Sequence, residues 1–421
     1  MIKSLSKNII DVKTFGLAVK TVKSYGKTVW ERVKPTPVDF GGFKFTALEA
    51  GEIGMTHNGT NATDTKPNLS YSKNGGSWTE WDYTNIPVVK DDVVYFKGIN
   101  DRISRTTSNY SKFTSTGKIA SSGNIMSLLY GDDYEGKVSL RGKSYCFYSL
   151  FYNCSSLTTA QELQLPATTL VEGCYQYMFE RCSSLTTAPE LPATTLANRC
   201  YYSMFESCSS LTTAPALPAT TLAEYCYGSM FYFCYSLTTA PALPATTLAE
   251  NCYSYMFNDC SSLTTAPELP ATTLSNSCYN FMFNGCSSLT TAPALPATTL
   301  KTDCYKNMFS GCSSLVNAPE LLATTLAYSC YSNMFSGCTS LTHAPELTAT
   351  TLVTSCYSNM FSDCTQLNYI KALFTTTPSD TYTAYWVSNV SPTGTFVKSK
   401  DATWDGTGIQ VIPYGWTVTT A

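Results

Sequence analysis

The sequence predicts a repeat solenoid whose 26-residue units each hold a short helix and a short strand. Three observations predict it. A Cys-Tyr pair recurs every 26 residues, a second cysteine follows the cysteine of each pair by eight residues, and short apolar runs between Gly, Asn and Asp clusters flank the repeats. The predicted regions are a basic amphipathic anchor segment at 1–36, a β-sandwich-like domain at 37–140, a nine-unit solenoid at 141–373 and a β-rich C-terminal cap at 374–421.

Composition sets the limits on the class of protein. Of 421 residues, 43% are hydrophobic and 14% are charged, so the chain can bury a core and is not of a disordered type. The net charge of −3 does not indicate a nucleic-acid partner. No apolar run approaches the roughly 20 residues of a transmembrane helix. The N-terminus lacks the pattern of a Sec signal peptide, so synthesis and folding in a cytoplasm are expected.

The N-terminal segment predicts a basic amphipathic helix. Residues 1–35 hold eight basic residues and two acids, and apolar residues recur there at intervals of three and four. An anchor into a larger assembly is the favoured interpretation, and a coiled coil, a membrane-surface helix and a partly ordered tail are the alternatives. The predicted anchor residues are Leu5, Ile9, Val12, Val19, Val22, Lys13, Lys20 and Lys23.

The next region, 37–140, has the alternation of short strands and turns that is typical of a β-sandwich or a small barrel. Short runs such as 43–47, 69–72 and 93–97 lie between Gly, Asn and Asp clusters. Tyr and Trp residues supply enough aromatic area for a core, which is favoured over a sugar-stacking platform.

The repeat unit reads C-Y-x-x-M-F-x-x-C-x-S-L-T-T-A-P-x-L-P-A-T-T-L-A-x-x. From Cys252 to Cys260, apolar residues fall at i, i+1, i+4, i+5 and i+8, which predicts one face of a short helix. Pro267 then restricts the segment after it to a short, irregular strand. Such units are too small to bury an apolar face alone, so stacked copies are expected to share a core that is capped at both ends.

The unit resembles the BspA-type leucine-rich repeats of bacterial surface proteins, in which an aromatic residue, two spacers, Cys and then Leu recur. Phe257, Cys260 and Leu263 match that pattern, as do their equivalents in the other units. The resemblance implies leucine-rich-repeat architecture. The additional Cys-Tyr pair and the P-x-L-P segment depart from the pattern.

The 18 cysteines predict two buried, reduced columns rather than disulfides or a metal site. Cysteines eight residues apart on a helix lie roughly 12 Å apart, which exceeds the reach of a disulfide. With His57 and His343 as the only histidines, no metal site or cofactor is expected. No catalytic motif is found, and the Glu column at Glu190, Glu268, Glu320 and Glu346 is interpreted as solvated because other units carry Ala there.

The binding residues are predicted on the part of the helical surface that varies between units. One unit concentrates exposed aromatics, which suit stacking on sugars, although ordinary variation of a solvated surface is the simpler alternative. The candidate ligand-binding residues are Tyr225, Tyr232, Phe233, Tyr235, Tyr177 and Tyr255.

The overall layout resembles phage fibre and surface modules of Bacteroides-type gut bacteria, through P-A-T-T-L in the array and T-G-T-F-V-K and G-W-T-V in the tail. The resemblance implies a non-enzymatic, virion-associated protein that joins other virion proteins through its N-terminal segment and adheres to host-surface glycan or protein. A secreted bacterial adhesin on the cell surface is the alternative, and a glycan-active enzyme is the third hypothesis.

Overall fold

The computed structural model describes residues 38–59 and 66–421. The predicted anchor segment, with its eight named residues, lies outside this range. The twelve strands are β1 Lys44–Ala47, β2 Gly51–Asn58, β3 Ser70–Lys73, β4 Thr79–Glu80, β5 Ile86–Val88, β6 Val93–Lys97, β7 Tyr110–Ser115, β8 Ile119–Asn124, β9 Leu157–Gln164, β10 Tyr369–Ala372, β11 Thr395–Lys398 and β12 Thr417–Thr420. The helices are α1 Ser127–Tyr130, a 3₁₀ turn at Gly131–Asp133, and α2 Asp380–Thr383.

The N-terminal region forms two sheets that pack through aromatic side chains. One sheet has the order β4-β3-β6-β1-β8-β9 and the other has the order β5-β2-β7. The ring of Phe113 on β7 lies 5.1 Å from those of both Phe45 on β1 and Phe96 on β6. All three side chains are fully buried, so they form the centre of this region's core.

This core continues directly into the repeats. Strand β9 belongs to the first repeat unit and pairs in parallel with β8 of the N-terminal region. Phe151 of that unit packs 5.9 Å from Phe43 and 6.0 Å from Phe45. The N-terminal sheets therefore cover the first end of the repeat array, as the need for a cap predicts.

The nine units are numbered here by their first cysteines, which are Cys146, Cys174, Cys200, Cys226, Cys252, Cys278, Cys304, Cys330 and Cys356. In each unit the nine residues from the first cysteine to the second are called the turn segment. Sequence periodicity predicts a helix there, and this prediction is wrong: the segment is a series of β-turns.

The hydrogen bonds of unit 3 show why no helix forms. The Met204 and Glu206 amides donate to carbonyls three residues back, whereas the Phe205 amide donates to the Met230 carbonyl of the next unit at 2.9 Å. Every fourth residue, such as Ser203, has φ near +55°, which an L-residue helix does not tolerate. Half of the amides thus bond between units, and a period of four mimics the helical period of 3.6.

Identical side chains stack between successive units. From Phe179 to Phe361 the phenylalanine rings lie 5.3–5.8 Å apart and are nearly parallel. A second column of buried tyrosines runs from Tyr175 to Tyr357. Both columns follow from the constant spacing of 26 residues, and they give the array one continuous apolar core.

Outside the turn segments, the units are joined by single parallel bridges rather than by full strands. These bridges link threonines in register, as between Thr213 and Thr239 and between Thr221 and Thr247. The prolines between the two bridge positions have no amide hydrogen to donate, which explains why extended pairing stops there. The predicted short strand of each unit is therefore reduced to isolated bridges in units 2 to 8.

The prediction of buried, reduced cysteine columns is confirmed, although the helix on which the distance argument rested is absent. All 18 cysteines are unpaired and buried. In units 2 to 9 the second cysteine also donates a weak hydrogen bond to a phenylalanine carbonyl of the preceding unit, as from Cys208 Sγ to Phe179 O at 3.1 Å. Burial raises the pKa of the Cys226 thiol to about 12, so these thiols are unreactive.

The C-terminal region begins with a degenerate tenth unit. The Phe361 amide donates to the Trp386 carbonyl at 2.8 Å, which places Trp386 in the methionine column of the preceding units. Strands β10, β11 and β12 then pair in parallel. Trp404 and Trp416 are buried against this end. In the described part of the chain, no helix is long and apolar enough to cross a membrane.

Candidate functional site

A groove of about 590 Å³ lies where the N-terminal region meets the first five units. It crosses the turn segments, so the variable positions of successive units line it. Its lining residues are Asn58, Thr107, Tyr110, Tyr148, Ser149, Tyr152, Tyr177, Glu180, Tyr202, Ser203, Glu206, Ser229, Tyr232 and Tyr255.

Five tyrosines, called here the tyrosine row, form a chain of edge-to-face contacts along this surface. Successive ring centroids lie 5.4–5.9 Å apart, within the range that aromatic pairs prefer. The row consists of Tyr110, Tyr148, Tyr177, Tyr202 and Tyr225. Tyr110 comes from β7, and the others come from units 1 to 3, where they occupy different positions relative to the first cysteine.

A second set of side chains lies six residues after the first cysteine of units 1 to 4. Because the repeat aligns equivalent positions, Tyr152, Glu180, Glu206 and Tyr232 follow one another along the groove. Ser149, Ser203 and Ser229 are buried yet line the groove, so they form its floor. This position is three residues after the first cysteine; serine leaves space there in units 1, 3 and 4, whereas Tyr177 and Tyr255 occupy it in units 2 and 5.

The two glutamates are held in an environment that disfavours their charge. Glu180 is 8% exposed. Burial first, and then the nearby Glu206 carboxylate, raise the pKa of Glu180 to about 7, against an opposing effect of Arg181. Burial also raises the pKa of Glu206. Arg181 Nε lies 3.5 Å from Glu180 Oε1, but the arginine side chain is largely exposed.

Cationic groups gather at one end of the groove, around Tyr152. The Arg181 guanidinium donates to the Tyr152 hydroxyl at 2.9 Å, and Lys112 Nζ lies 4.8 Å from the centre of the same ring. The Glu206 carboxylate, one unit further along, makes no ion pair with any residue that the structure describes. Charge is therefore unevenly distributed, with bases at the Tyr152 end and acids further along.

Several aromatic residues of this face adopt left-handed backbone conformations. Tyr177, Tyr225, Phe233 and Tyr255 have φ between 53° and 60°. Bulky residues rarely occupy this region, and each such residue costs on the order of 1–3 kcal/mol unless the surrounding structure imposes it. The repeat imposes it here, since Asn or Gly occupies equivalent positions in other units.

The structure brings the six predicted ligand-binding residues onto one face. Tyr177, Tyr232 and Tyr255 line the groove, and Tyr225 ends the tyrosine row. The Phe233 ring stacks on Tyr232 at 3.8 Å, and Tyr235 extends this cluster at 5.8 Å from Phe233. Whether these residues bind a ligand stays a prediction.

Sequence reasoning missed part of this site. Glu180 and Asn258 stand at positions that vary between units, as the predicted binding residues do, but both are buried. Sequence reasoning also did not select Tyr148 and Tyr202 as binding residues, although both stand two residues after a first cysteine. Alignment of the units by position would have found these tyrosines. The contribution of Asn58 and Tyr110 could not be found from the repeat, because they come from another region.

Comparison with protein families agrees with the repeat architecture. The family model of the BspA type leucine rich repeat region matches residues 144–264 and 228–368, with six copies. The overlapping ranges together run from 144 to 368, which is more than half of the chain. The chain belongs to the BspA-type leucine-rich repeat family. No curated protein matches it.

Membership in this family suggests a role in surface adhesion or protein interaction.

A second, larger groove of about 850 Å³ crosses the P-x-L-P segments of units 1 to 3. It is lined by residue types that the units repeat, chiefly Pro, Thr, Ala and Leu. The glutamates at Glu190, Glu268, Glu320 and Glu346 are all exposed, as their interpretation as a solvated column predicts.

Proposed function

We propose that this BspA-type repeat protein is a non-enzymatic adhesion protein that binds an extended host-surface glycan in the tyrosine-lined groove. The repeat array serves as a rigid solenoid scaffold that sets the spacing of the binding side chains. The observation that carries the proposal is the tyrosine row beside a polar groove. Aromatic faces stack on sugar rings, and nearby hydroxyl, amide and carboxyl groups give hydrogen bonds that fix orientation.

The form of the groove favours a chain of sugars over a single sugar. It crosses five units, and neighbouring units are spaced 5.1–5.7 Å apart at their phenylalanine rings. This spacing is close to the length of one pyranose residue in an extended chain. Successive units could therefore contact successive sugars, with each contact adding a modest increment of affinity.

The proposal is tested by removing groove aromatics one at a time. Tyr202→Ala and Tyr232→Ala are each expected to weaken binding by roughly ten- to hundredfold, since truncation of a stacking residue costs about 1–3 kcal/mol. Tyr328→Ala is the matched control, because Tyr328 is an exposed tyrosine at the end of unit 7, outside the groove. A glycan array identifies ligands, calorimetry measures affinity, and melting temperature checks the fold.

The proposal fails if both groove variants bind the selected glycan like the parent while melting normally. Loss of binding on changes confined to residues 66–140 would then assign recognition to the N-terminal sheets and leave the array as a spacer. Equal losses for Tyr328→Ala would indicate a general effect of surface tyrosines rather than a groove.

We further propose that the protein is carried on a virion, joined to other virion proteins through residues 1–36. The basic amphipathic pattern of that segment and the resemblance to phage modules support this location. Family membership favours the alternative, an adhesin on a bacterial cell surface. Mass spectrometry of purified phage particles and of bacterial surface fractions separates the two, because the chain should be enriched in one of them.

One observation favours a glycan-active enzyme as the second candidate. Glu180 and Glu206 lie together in the groove, and their surroundings raise both pKa values, Glu180 to about 7. Glycosidases use a pair of carboxyl groups that differ in pKa. Prolonged incubation with glycans that bind, followed by chromatography of the products, tests this activity. Shortened oligosaccharides that disappear with Glu180→Gln would replace the adhesion proposal with an enzymatic one.

A further inference from the structure

The acids of the groove are a specific clue to its ligand. The side chains that line it, all within the described chain, include two carboxylates and no base. Removing a carboxylate from water is costly unless a partner compensates for the loss. Arg181 provides a partner for Glu180 from the solvent side, whereas Glu206 has no ion pair among the described residues and is affected by Arg181 only at longer range.

We propose that the groove selects a polycationic glycan, an extended chain of sugars with free amines, and holds an ammonium group at Glu206 beside the tyrosine row. This inference rests on the proposed function, because it assigns a chemical class to the ligand of the same groove. An ammonium group would supply the positive countercharge that the Glu206 carboxylate lacks. Charge-assisted hydrogen bonds of this kind are roughly twice as strong as neutral ones.

The aromatic surroundings fit a cation as well as a sugar. Tyr202 belongs to the same unit as Glu206, and Tyr177 lies 5.7 Å from Tyr202 in the unit before. The faces of such rings attract cations, and the attraction grows as water is excluded. Sugar faces and ammonium groups can therefore alternate along one surface without requiring different residue types.

A buried hydroxyl lies beside Glu206 on the floor of the groove. Ser203 is 1% exposed and lines the groove, and its contact with the Glu206 carboxylate lowers the pKa of Glu206 without meeting the geometry of an ordinary hydrogen bond. Buried hydroxyls normally have a partner. A sugar hydroxyl or an ammonium group in the groove would satisfy Ser203 Oγ at the same time as Glu206.

The charges around Glu206 determine where the cation lies. Arg181 and Lys112 stand at the Tyr152 end of the groove and would repel an ammonium group there. Glu180 lies between that end and Glu206 and forms an ion pair with Arg181. The ammonium group is therefore expected nearest to Glu206, toward units 3 and 4, and not beside Tyr152.

Three hexasaccharides with the same linkage isolate the effect of charge. Cellohexaose carries hydroxyls, chitohexaose carries N-acetyl groups and chitosan hexamer carries free amines, which are largely protonated at about pH 6. Calorimetry with the full chain should give chitosan hexamer an affinity at least about tenfold above both neutral hexamers. Glu206→Gln, which keeps the shape of the side chain, should lower its affinity to their level.

Glu190→Gln is the matched control, since Glu190 is exposed on the P-x-L-P face away from this groove, and it should bind all three hexamers like the parent. Equal affinities for the three, or full chitosan affinity in Glu206→Gln, overturn the inference. If a neutral hexamer binds as tightly as chitosan hexamer and Tyr202→Ala weakens its binding, the cationic preference is wrong but the proposed function stands. If no hexamer binds, the inference is overturned, and the glycan array alone decides the proposed function.

Discussion

Units 1 to 6 and units 7 to 9 share one backbone and one core but display different surfaces. At the left-handed positions of the turn segments, units 7 to 9 carry Asn307, Gly311, Asn333, Gly337, Asn359 and Asp363. The equivalent positions in the first six units include Tyr177, Phe233, Tyr255 and Phe281. The groove lies entirely in units 1 to 5, next to the N-terminal sheets.

This difference separates what the scaffold requires from what it tolerates. Asn, Asp and Gly adopt the left-handed conformation readily, so units 7 to 9 satisfy the backbone with residues suited to it. Aromatic residues at the same positions oppose that preference. Strain of this kind concentrates at functional sites, which is why units 1 to 6, called here the aromatic half, are the better candidate for binding.

The largest expected effect tests whether the two halves have equal cores. Phe231→Ala in unit 4 and Phe335→Ala in unit 8 each remove a fully buried ring that stacks on neighbours 5.6–5.8 Å away on both sides. Each variant should lose about 3–5 kcal/mol of unfolding free energy, and the two losses should agree within about 1 kcal/mol. Denaturant titration followed by circular dichroism measures both.

Unequal losses of unfolding free energy would show that the two groups of units differ in packing. Their surfaces could then not be compared as if they stood on the same scaffold. Only Phe231→Ala is also expected to weaken glycan binding, because its unit carries Tyr232 in the groove.

The core was predictable from sequence because its residues repeat without change. The columns of Cys, Tyr, Met, Phe and Leu identified the buried positions and the stacking of units. The local backbone was not predictable from apolar spacing, since positions i, i+4 and i+8 suit both a helix and a series of turns. Recurrent Asn and Gly every fourth residue, as at Asn307 and Gly311, carried the signal for turns.

The candidate site was predictable only in part, for a related reason. Variation between units pointed to Tyr177, Tyr232 and Tyr255, which do line the groove. Burial of Glu180 depends on how neighbouring units and the N-terminal sheets enclose it, which no single unit encodes. The degenerate tenth unit was likewise hidden, because Trp386 replaces methionine there and both cysteines are absent.

The second prediction concerns the buried carboxylate of Glu180 in unit 2. The folded-state pKa of Glu180 is raised from 4.5 to about 7, so the carboxylate destabilises the folded state fully above about pH 7. Glu180→Gln should therefore raise the unfolding free energy at about pH 8 by on the order of 2 kcal/mol. The gain should shrink as the pH falls through 7 and vanish near pH 4, where Glu180 is protonated in both states.

Denaturant titrations of parent and variant across this pH range measure the difference. Glu190→Gln, at an exposed position, should show almost none of it. In units 7 to 9 the equivalent residues are Ser310, Ser336 and Ser362, so that half bears no such cost. A destabilised Glu180→Gln variant would mean that the carboxylate contributes favourable contacts, and burial of charge would no longer distinguish the halves.

The smallest expected effect measures the backbone cost on which the comparison depends. Gly337 has φ of +75°, and an added Cβ would meet its nearest neighbours, atoms of Gly311, at an ordinary distance of 3.5 Å. Gly337→Ala therefore adds no steric clash with them, and its effect reports the left-handed conformation of an L-residue. We expect a loss of about 1 kcal/mol, because the local strain exceeds the entropy that alanine removes from the unfolded chain.

Ser336→Ala, one residue earlier and outside the left-handed region, is the matched control and should change stability by less than about 0.5 kcal/mol. Thermal and denaturant unfolding of both variants give the comparison. If Gly337→Ala is as stable as the parent, the left-handed positions accept any side chain. The aromatic residues of units 2 to 6 would then carry no strain, and the case for binding would depend on the groove and its buried carboxylates alone.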